Sequence, residues 1–288
     1  MEFIAPAKIN LYLDVLSKRE DGYHEIETLF EKVSLFDRLV VEHAEQATSI
    51  ICDDPAVPTG KESLMRRVID AFNGQIGKTL CFKVVLEKNI PVSAGLGGGS
   101  SDAAALLKAL NEITGSPLDK TSLLDISRQL GADIPFFLSD ASFAYGRGRG
   151  DIIQEVRSEL KMWHVIVDPP FKVSTKEVYT RFTHFDLTNN RGVDRMFSAF
   201  LRAQDTDGIA KNLHNDLQQI TLRDFPVLEQ VLFELKKAGA KGALLTGSGP
   251  CVFGIFGPKE AETAREALLK VFPAEESWKI LIASTCFV

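Results

Sequence analysis

Several kinds of sequence signal are scarce in this chain, and each absence argues against a class of protein. The four cysteines are widely separated and form no CxxC pair, so they indicate neither a disulfide framework nor a zinc site. A reducing compartment is the simplest setting for them. The net charge of −6 argues against non-specific nucleic-acid binding, which needs a basic surface. No apolar run is long enough to span a bilayer.

The first ten residues, MEFIAPAKIN, also lack the basic and then apolar layout of a secretory signal. We therefore expect a cytoplasmic protein, with the plastid stroma as the alternative for a processed plant form. The length of 288 residues fits one large domain or two of ordinary size. The composition, 45% hydrophobic and 25% charged, is typical of a globular protein with a sizeable core.

The most informative stretch is PVSAGLGGGSSD, which occupies residues 91–102. Residues 80–88 before it are apolar and β-branched, which predicts a strand, and apolar residues from Ala103 to Ile113 recur at helical spacing. Glycines let a ligand approach the backbone, and a helix start offers N–H groups and a positive dipole end. With Ser100 and Ser101 as predicted N-caps, this unit predicts a phosphate-binding site.

Three other interpretations of this loop were weighed. A Walker A loop is excluded because no Gly-Lys-Ser/Thr follows the glycines. The dinucleotide fingerprint of an NAD-binding oxidoreductase fits poorly, because Ser100 stands where its third Gly or Ala belongs. A flexible surface turn without a ligand remains an alternative, although ordering several glycines costs chain entropy.

Hydrophobic periodicity predicts the remaining elements along the chain. Strands are predicted over residues 3–16, 29–33, 37–42, 163–167, 242–245, 251–256 and 278–283. Helices are predicted over residues 63–72, 118–130, 190–203, 225–238 and 259–271. Gly131 and Gly239 are predicted to end helices, and the alternation of Gly and Arg in residues 143–151 predicts a hairpin turn.

Four polar side chains outside the loop have an ordinary structural alternative beside any functional one. Lys8 fits a solvated lysine at the start of a strand, and His24 fits a surface residue after a turn. Asp133 is placed to cap the short helix that begins near Pro135. Tyr179, on a predicted helix, fits an ordinary core aromatic.

The motif P-x-x-x-G-L-G-G-G-S-S resembles the nucleotide loop of the GHMP kinases. Three further segments resemble motifs of that family: PAKINL (6–11), GADIPFF (131–137) and LTGSG (245–249). The segment DGYHEIETLF (21–30) is similar to a motif of the GHMP branch whose substrate is a cytidyl diphosphate alcohol. The resemblance extends from residue 6 to about residue 256.

This resemblance implies an α+β fold of two domains, each combining a largely antiparallel sheet with helices, with the active site in the cleft between them. It places an N-terminal ATP-binding domain at residues 1–152 and a C-terminal domain at residues 153–288. It implies ATP as the phosphoryl donor, Mg²⁺ bridging the phosphates and a small-molecule alcohol as acceptor. Neither nucleic acid nor membrane is expected as a partner, and the oligomeric state is left open.

The resemblance also assigns roles to residues. It makes Asp133 the general base and Lys8 the cation that lowers the pKa of that carboxylate and stabilises the transferring group. ATP phosphates are assigned to Pro91, Val92, Ser93, Ala94, Gly95, Leu96, Gly97, Gly98, Gly99, Ser100 and Ser101. Ser63 stands where the family has an asparagine that contacts the nucleotide base, which makes Ser63 a candidate base contact.

The substrate is assigned to Asn10, Tyr23, His24, Thr175 and Tyr179. In this assignment Asn10 holds the alcohol, Tyr23 and Tyr179 stack on the two faces of cytosine, and His24 reads the cytosine edge. The turn of Gly247, Ser248 and Gly249 is assigned a supporting role beside the phosphates.

Two rival functions stay open at this point. One is another GHMP kinase, of the homoserine or mevalonate type, although those substrates have no base for Tyr23 and His24 to contact. The other is a catalytically inactive binding protein of the same fold, against which Lys8, Asp133 and the intact glycine loop all argue.

Overall fold

The computed structural model describes residues 1–182 and 205–287. The chain forms two units that alternate along the sequence. Unit 1 contains residues 1–7, 35–92 and 97–140, and unit 2 contains residues 8–34, 93–96 and the described residues from 141 onward. The domain boundary near residue 152 stays a prediction, and the predicted helix over 190–203 lies outside the described residues.

Two long strands, β1 (Glu2–Lys18) and β2 (His24–Ala44), contribute residues to both units. In unit 1, β2 pairs antiparallel with β4 (Cys81–Glu87), and β4 pairs parallel with β3 (Ser49–Cys52). The helices of unit 1 are α1 (Leu64–Ile76), α2 (Gly98–Ile113), α3 (Lys120–Leu130) and α4 (Ile134–Leu138). Helix α2 contacts α1 and α4 and buries Ala103, Leu106, Leu107 and Leu110, so its axis is fixed by apolar packing.

In unit 2, β1 pairs parallel with β8 (His214–Asn215), and β2 pairs antiparallel with β5 (Phe143–Arg147), which pairs with β6 (Ile152–Val156). A second, fully antiparallel sheet has the strand order β11 (Lys279–Ser284), β7 (Trp163–Asp168), β10 (Val252–Phe256), β9 (Gly242–Leu245). The helices of unit 2 are α5 (Thr175–Phe182), α6 (Thr206–Lys211), α7 (Gln218–Asp224), α8 (Val227–Lys237), α9 (Pro258–Val271) and a 3₁₀ turn (Ala274–Glu276).

Two apolar clusters lie among the described residues of unit 2. In the first, Val165 and Val252 of the four-stranded sheet pack with Leu228 and Leu268 of α8 and α9. In the second, residues of β1 and β2 pack with α5 and α7; its buried members are Leu13, Val15, Ile26, Val173, Val178, Phe182, Leu217 and Ile220. This second cluster holds α5, which carries Tyr179, against the strand pair that carries Lys8 and His24.

The predicted α+β mixture of largely antiparallel sheets and helices is confirmed. The division of one strand into two is wrong. The strands predicted at 29–33 and 37–42 are one strand, β2, because no glycine or proline interrupts the residues between them. Gly131 ends α3 as predicted, but with φ of 179°, an extended conformation rather than the left-handed one common at helix ends.

The predicted hairpin turn is confirmed between β5 and β6, with Gly148 at φ 71° and Gly150 at φ 98°. Gly239 follows α8 with φ of 96°, in the left-handed region that suits a helix-ending glycine. Among the described residues, no helix is long and apolar enough to cross a membrane.

Candidate active site

The glycine loop leads into α2, but its serines do not cap the helix as predicted. Gly97 is the N-cap residue, with φ of 70°, and no side chain donates or accepts a capping hydrogen bond there. Ser100 and Ser101 instead lie in the first turn of α2, after Gly98 and Gly99. A left-handed glycine turns the chain into the helix, so the uncapped N–H groups and the helix dipole are available to an anion.

The Ser101 hydroxyl is buried in this first turn, and its oxygen has no hydrogen-bond partner among the described residues. An unsatisfied buried hydroxyl carries a desolvation cost of about 1–3 kcal/mol. The position therefore suits a bound ligand that accepts a hydrogen bond from this hydroxyl or donates one to its oxygen.

The preceding part of the loop, residues 93–96, belongs to unit 2. It packs on the turn of residues 247–249, the second glycine turn of the site. Gly95 has φ of 79°, and a Cβ there would lie 2.3 Å from the Thr246 carbonyl oxygen and 3.2 Å from that of Gly249. The Cys251 amide donates to the Ala94 carbonyl at 3.3 Å. Only glycine permits this approach, so the two glycine-rich segments form one packed structure in unit 2.

Lys8 lies beside this pair of turns. Its side chain is buried, its Nζ donates to Asn10 Oδ1 at 2.7 Å, and the ammonium lies 5.5 Å from the centroid of the Phe30 ring. The Lys8 amide donates to the Leu96 carbonyl at 2.9 Å. Lys8 is thus part of a built polar site rather than a solvated strand end, which removes the structural alternative.

The Asn10 amide is held from two sides. Its Nδ2 donates to Thr28 Oγ1 at 2.8 Å, and its backbone N–H donates to Thr246 Oγ1 at 3.1 Å. Because Oδ1 is thereby turned toward Lys8, Asn10 orients the ammonium. Thr28 and Thr246 were missed as site residues; both stand inside segments that the motifs marked.

The turn of Gly247 to Gly249 approaches the same lysine. Gly247 has φ of 57°, and a Cβ there would lie 3.7 Å from Lys8 Nζ and 3.6 Å from Asn10 Oδ1. Asn215, another residue that was missed, fixes the turn because its Nδ2 donates to the carbonyls of Leu245 (2.8 Å) and Gly247 (2.7 Å).

Helix α5 is tied to this turn through a pair of hydroxyls. Thr175 Oγ1 and Ser248 Oγ lie 2.8 Å apart, and Ser174 Oγ accepts the Glu177 amide at 3.3 Å just before the start of α5. The first residue of α5 is therefore joined to the supporting turn, and the helix is oriented from its start.

Two of the three predicted base-contacting residues, His24 and Tyr179, form a ring cluster with Phe182. The rings of His24 and Tyr179 have centroids 5.2 Å apart at 32°, and Phe182 meets His24 edge-on at 6.4 Å. Tyr23 is 54% exposed, with the Arg149 guanidinium 4.9 Å from its ring centroid. Tyr23 thus presents a ring to solvent, whereas His24 is packed among aromatic groups.

Burial, with a smaller contribution from Lys18, lowers the pKa of His24 below its ordinary 6.5. The imidazole is therefore neutral at neutral pH and carries one donor and one acceptor nitrogen. Its Nε2 is buried and has no hydrogen-bond partner among the described residues. A neutral ring with one unengaged nitrogen is suited to reading a hydrogen-bonding edge.

Two candidates lie in unit 1. Asp133 immediately precedes α4 with φ −83° and ψ −15°, but its side chain makes no capping hydrogen bond, so the capping alternative does not describe it. Ser63 does cap a helix: its Oγ accepts the Arg66 amide of α1 at 3.2 Å. The hydroxyl of Ser63 therefore has a structural use, and its contact with a nucleotide base stays a prediction.

Comparison with known proteins gives consistent matches over the whole chain. Residues 63–141 match the GHMP kinases N terminal domain, and residues 196–274 match the GHMP kinases C terminal family. The 4-diphosphocytidyl-2-C-methyl-D-erythritol kinase of Syntrophotalea carbinolica is 41% identical over 92% of this chain and 92% of its own.

Solved structures agree with these matches. A crystal structure of 4-(cytidine 5′-diphospho)-2C-methyl-D-erythritol kinase superposes with a TM-score of 0.80 at 35% identity, covering 99% of this chain and 98% of that one. A homoserine kinase from Cytophaga hutchinsonii reaches a TM-score of 0.79 at 18% identity, covering 100% and 94%, and shares the fold alone. The motifs, the fold and the near-full-length identity agree, and this chain belongs to the 4-diphosphocytidyl-2-C-methyl-D-erythritol kinase family of the GHMP kinases.

Proposed function

We propose that this protein transfers the γ-phosphoryl group of ATP to the 2-hydroxyl of 4-diphosphocytidyl-2-C-methyl-D-erythritol. The observation that carries the proposal is the combination, in unit 2, of a buried lysine at two glycine turns with a neutral, ring-packed histidine. The first suits phosphoryl transfer, and the second suits a substrate that ends in a base. Relatives named for this reaction align with this chain over nearly its full length.

The phosphates of ATP bind, in this proposal, at the glycine loop and the start of α2. Gly97 to Ser100 supply backbone N–H groups at a helix N-terminus without a side-chain cap, where the dipole favours anions, whereas the Ser101 amide donates to the Gly97 carbonyl. Pro91 and Val92 connect strand β4 to the loop and fix where the loop begins.

Mg²⁺ fits the donors present at this position. Ser101 Oγ is a hard oxygen ligand, buried and without a hydrogen-bond partner among the described residues, and it would hold the ion. A bound Mg²⁺ would supply positive charge against the charge that develops on the phosphates during transfer. The protein's part is to position that oxygen in the first turn of a helix that is otherwise fixed by apolar packing.

Asp133 is the proposed general base. Its carboxylate accepts the proton of the 2-hydroxyl as the hydroxyl oxygen forms its bond to the γ-phosphorus, and ADP departs with the bond electrons of the bridging oxygen. Asp133 stands at the start of α4 without capping it, so its carboxylate is not used as a helix cap.

Lys8 is the proposed stabilising cation for the transferring group. Asn10 fixes the direction of its ammonium through the 2.7 Å hydrogen bond. Because Asn10 is already bonded to Thr28 as well, its main contribution in this proposal is to orient Lys8, with the substrate alcohol as a further contact of its oxygen.

The cytosine end of the substrate binds at the ring cluster in this proposal. Tyr23 and Tyr179 stack on the base, and the unengaged Nε2 of His24 bonds to the base edge. Since all four cysteines are free thiols, we propose a reducing compartment, the cytoplasm, for this protein.

A substrate screen tests the proposal directly. The purified protein is given ATP and Mg²⁺ with 4-diphosphocytidyl-2-C-methyl-D-erythritol, homoserine, mevalonate or galactose, and ADP release and the phosphorylated product are measured. We expect turnover with the cytidyl substrate only. Turnover with homoserine or mevalonate instead would favour the rival GHMP kinases, and ADP release with none of the four would favour an inactive binding protein.

A further inference from the structure

A second buried lysine lies in unit 1, next to the glycine loop. The Lys88 side chain is 4% exposed, and its Nζ donates to Asp102 Oδ2 at 2.8 Å and to Asp37 Oδ2. Both carboxylates are buried as well. Burial opposes a charged lysine, but the carboxylates of Asp102 and Asp37 raise its pKa, so the ammonium is retained.

The two carboxylates lie at opposite ends of the loop. Asp37 Oδ1 accepts the backbone amides of Asn89 at 2.6 Å and Ile90 at 2.8 Å, the residues just before Pro91. Asp102 lies near the beginning of α2, which is the element just after the loop. Lys88 therefore connects the chain entering the loop to the helix leaving it.

Gly98, the first residue of α2, lies against the same ammonium. A Cβ at Gly98 would lie 3.2 Å from Lys88 Nζ and 3.0 Å from Ile90 Cγ2. Glycine at this position lets the lysine reach the helix start. The cluster thus touches α2 at two points, the Gly98 backbone and the Asp102 carboxylate.

Stability alone is a weak explanation for this arrangement. A buried ammonium with two carboxylates is costly to desolvate, and apolar groups of similar size are often as stabilising or more so. The apolar face of α2 already holds the helix against its neighbours. Apolar packing is non-directional, whereas charge-assisted hydrogen bonds fix an orientation. The cluster therefore fixes how the first turn of α2 is rotated about the helix axis and where it lies along that axis.

We propose that Lys88 is a positioning residue that sets the first turn of α2 so that its N–H groups meet the phosphates of ATP. This inference rests on the proposed function, since it concerns the same phosphate site. It predicts an effect on ATP affinity with little effect on the acceptor substrate, which a general loss of folding would not produce.

The test compares Lys88→Met with Lys83→Met, a matched change at an exposed lysine of β4, the strand that Lys88 follows. For each variant one measures kcat, the KM for ATP, the KM for the cytidyl substrate and the Kd of a non-hydrolysable ATP analogue with Mg²⁺. For Lys88→Met we expect the KM for ATP and the analogue Kd to rise about tenfold or more, since a tenfold change is about 1.4 kcal/mol. We expect the cytidyl KM and saturating kcat to stay within about threefold, and Lys83→Met to match the parent.

A folded Lys88→Met protein with parental ATP affinity overturns the inference, as does an equal rise in both KM values. If Lys88→Met does not fold, Lys88→Met with Asp37→Asn takes its place, because this pair removes one of the carboxylates left without a cation and keeps an oxygen for the Asn89 and Ile90 amides. The same rise in ATP KM is expected. If neither protein folds, the cluster serves stability and the inference is wrong. A parent protein that fails to bind the analogue refutes the proposed function itself, which separates the two failures.

Discussion

Two regions of unit 2 divide the proposed work, and they are built differently. The first, which we call the transfer region, consists of Lys8, Asn10, Thr246 and Gly247; it is assembled from buried hydrogen bonds and close backbone approach. The second, which we call the base region, consists of Tyr23, His24, Tyr179 and Phe182; the rings of the last three pack together, and the Tyr23 ring is exposed. Fixed dipoles suit stabilisation of a transition state, whereas rings suit binding of a flat base.

This contrast has a kinetic consequence. Substitutions in the transfer region should lower kcat. Substitutions in the base region should raise the KM of the cytidyl substrate, because an interaction made equally in ground state and transition state affects only KM. The predictions below break or sharpen that separation.

The largest effect is expected for Asp133→Asn. Loss of a general base costs about 10²–10⁴-fold in rate, so kcat should fall by that factor while nucleotide binding stays within a few-fold. Single-turnover kinetics and titration with an ATP analogue measure the two quantities. The matched control is Asp140→Asn, at an exposed aspartate just after α4. Parental turnover in Asp133→Asn would reduce Asp133 to a structural role at the start of α4.

Lys8→Met should be next in size. Removing a preorganised stabilising group costs about 10²–10³-fold in kcat. Asn10→Ala should lie between this variant and the parent, because it leaves the ammonium in place but removes the bond that directs it. If Lys8→Met raised only the cytidyl KM, the transfer region would belong to substrate binding and the contrast would fail.

His24→Ala should act on the other side of the contrast. Loss of the bond to the base edge and of the ring next to Tyr179 should raise the cytidyl KM by about 10–100-fold, on the order of 1–3 kcal/mol, with the KM for ATP unchanged. Tyr23→Ala should raise the cytidyl KM by about tenfold. His43→Ala, which removes a histidine stacked on Phe82 in unit 1, is the matched control. Equal rises in both KM values would remove the base assignment.

Another histidine of unit 2, His214, shows how the environment decides the protonation state of this side chain. His214 Nε2 lies 2.9 Å from Asp216 Oδ1 and 3.1 Å from Asp14 Oδ1, and hydrogen bonds to Asp14 and Asp216 raise its pKa from 6.5 to about 9. His24, among rings, shifts the other way. A histidine side chain is therefore charged between β1 and β8, at His214, and neutral in the base region, at His24.

The smallest effect follows from that raised pKa. A group whose folded pKa exceeds its unfolded one stabilises the fold fully below pH 6.5 and loses this contribution as pH rises through about 9. Because His214 is partly exposed, we expect a loss of about 1–2 kcal/mol in the free energy of unfolding across that window. Denaturant titrations of the parent and of His214→Asn measure it. An identical pH dependence in both proteins would show that the histidine does not stabilise the strand pair, and kcat should be unaffected in either case.

Much of the fold was accessible from local patterns. The strand before the glycine loop, the helix after it and the hairpin at Gly148 to Gly150 follow from periodicity and turn chemistry, because neighbouring residues decide them. Two errors have separate causes: no glycine or proline interrupts β2 where the sequence was divided into two strands, and a left-handed glycine, Gly97, already begins α2 ahead of the two serines.

By itself the sequence determined which residue types are available for the chemistry: a glycine loop before a helix, a lysine, an aspartate and a tyrosine–histidine pair. Only the tertiary structure decided that Gly97 rather than a serine caps α2, that Asn215 holds the second turn and that Lys88 joins both ends of the loop. These facts depend on contacts between residues far apart in the chain, whose close approach is set by packing and directional hydrogen bonds rather than by spacing along it.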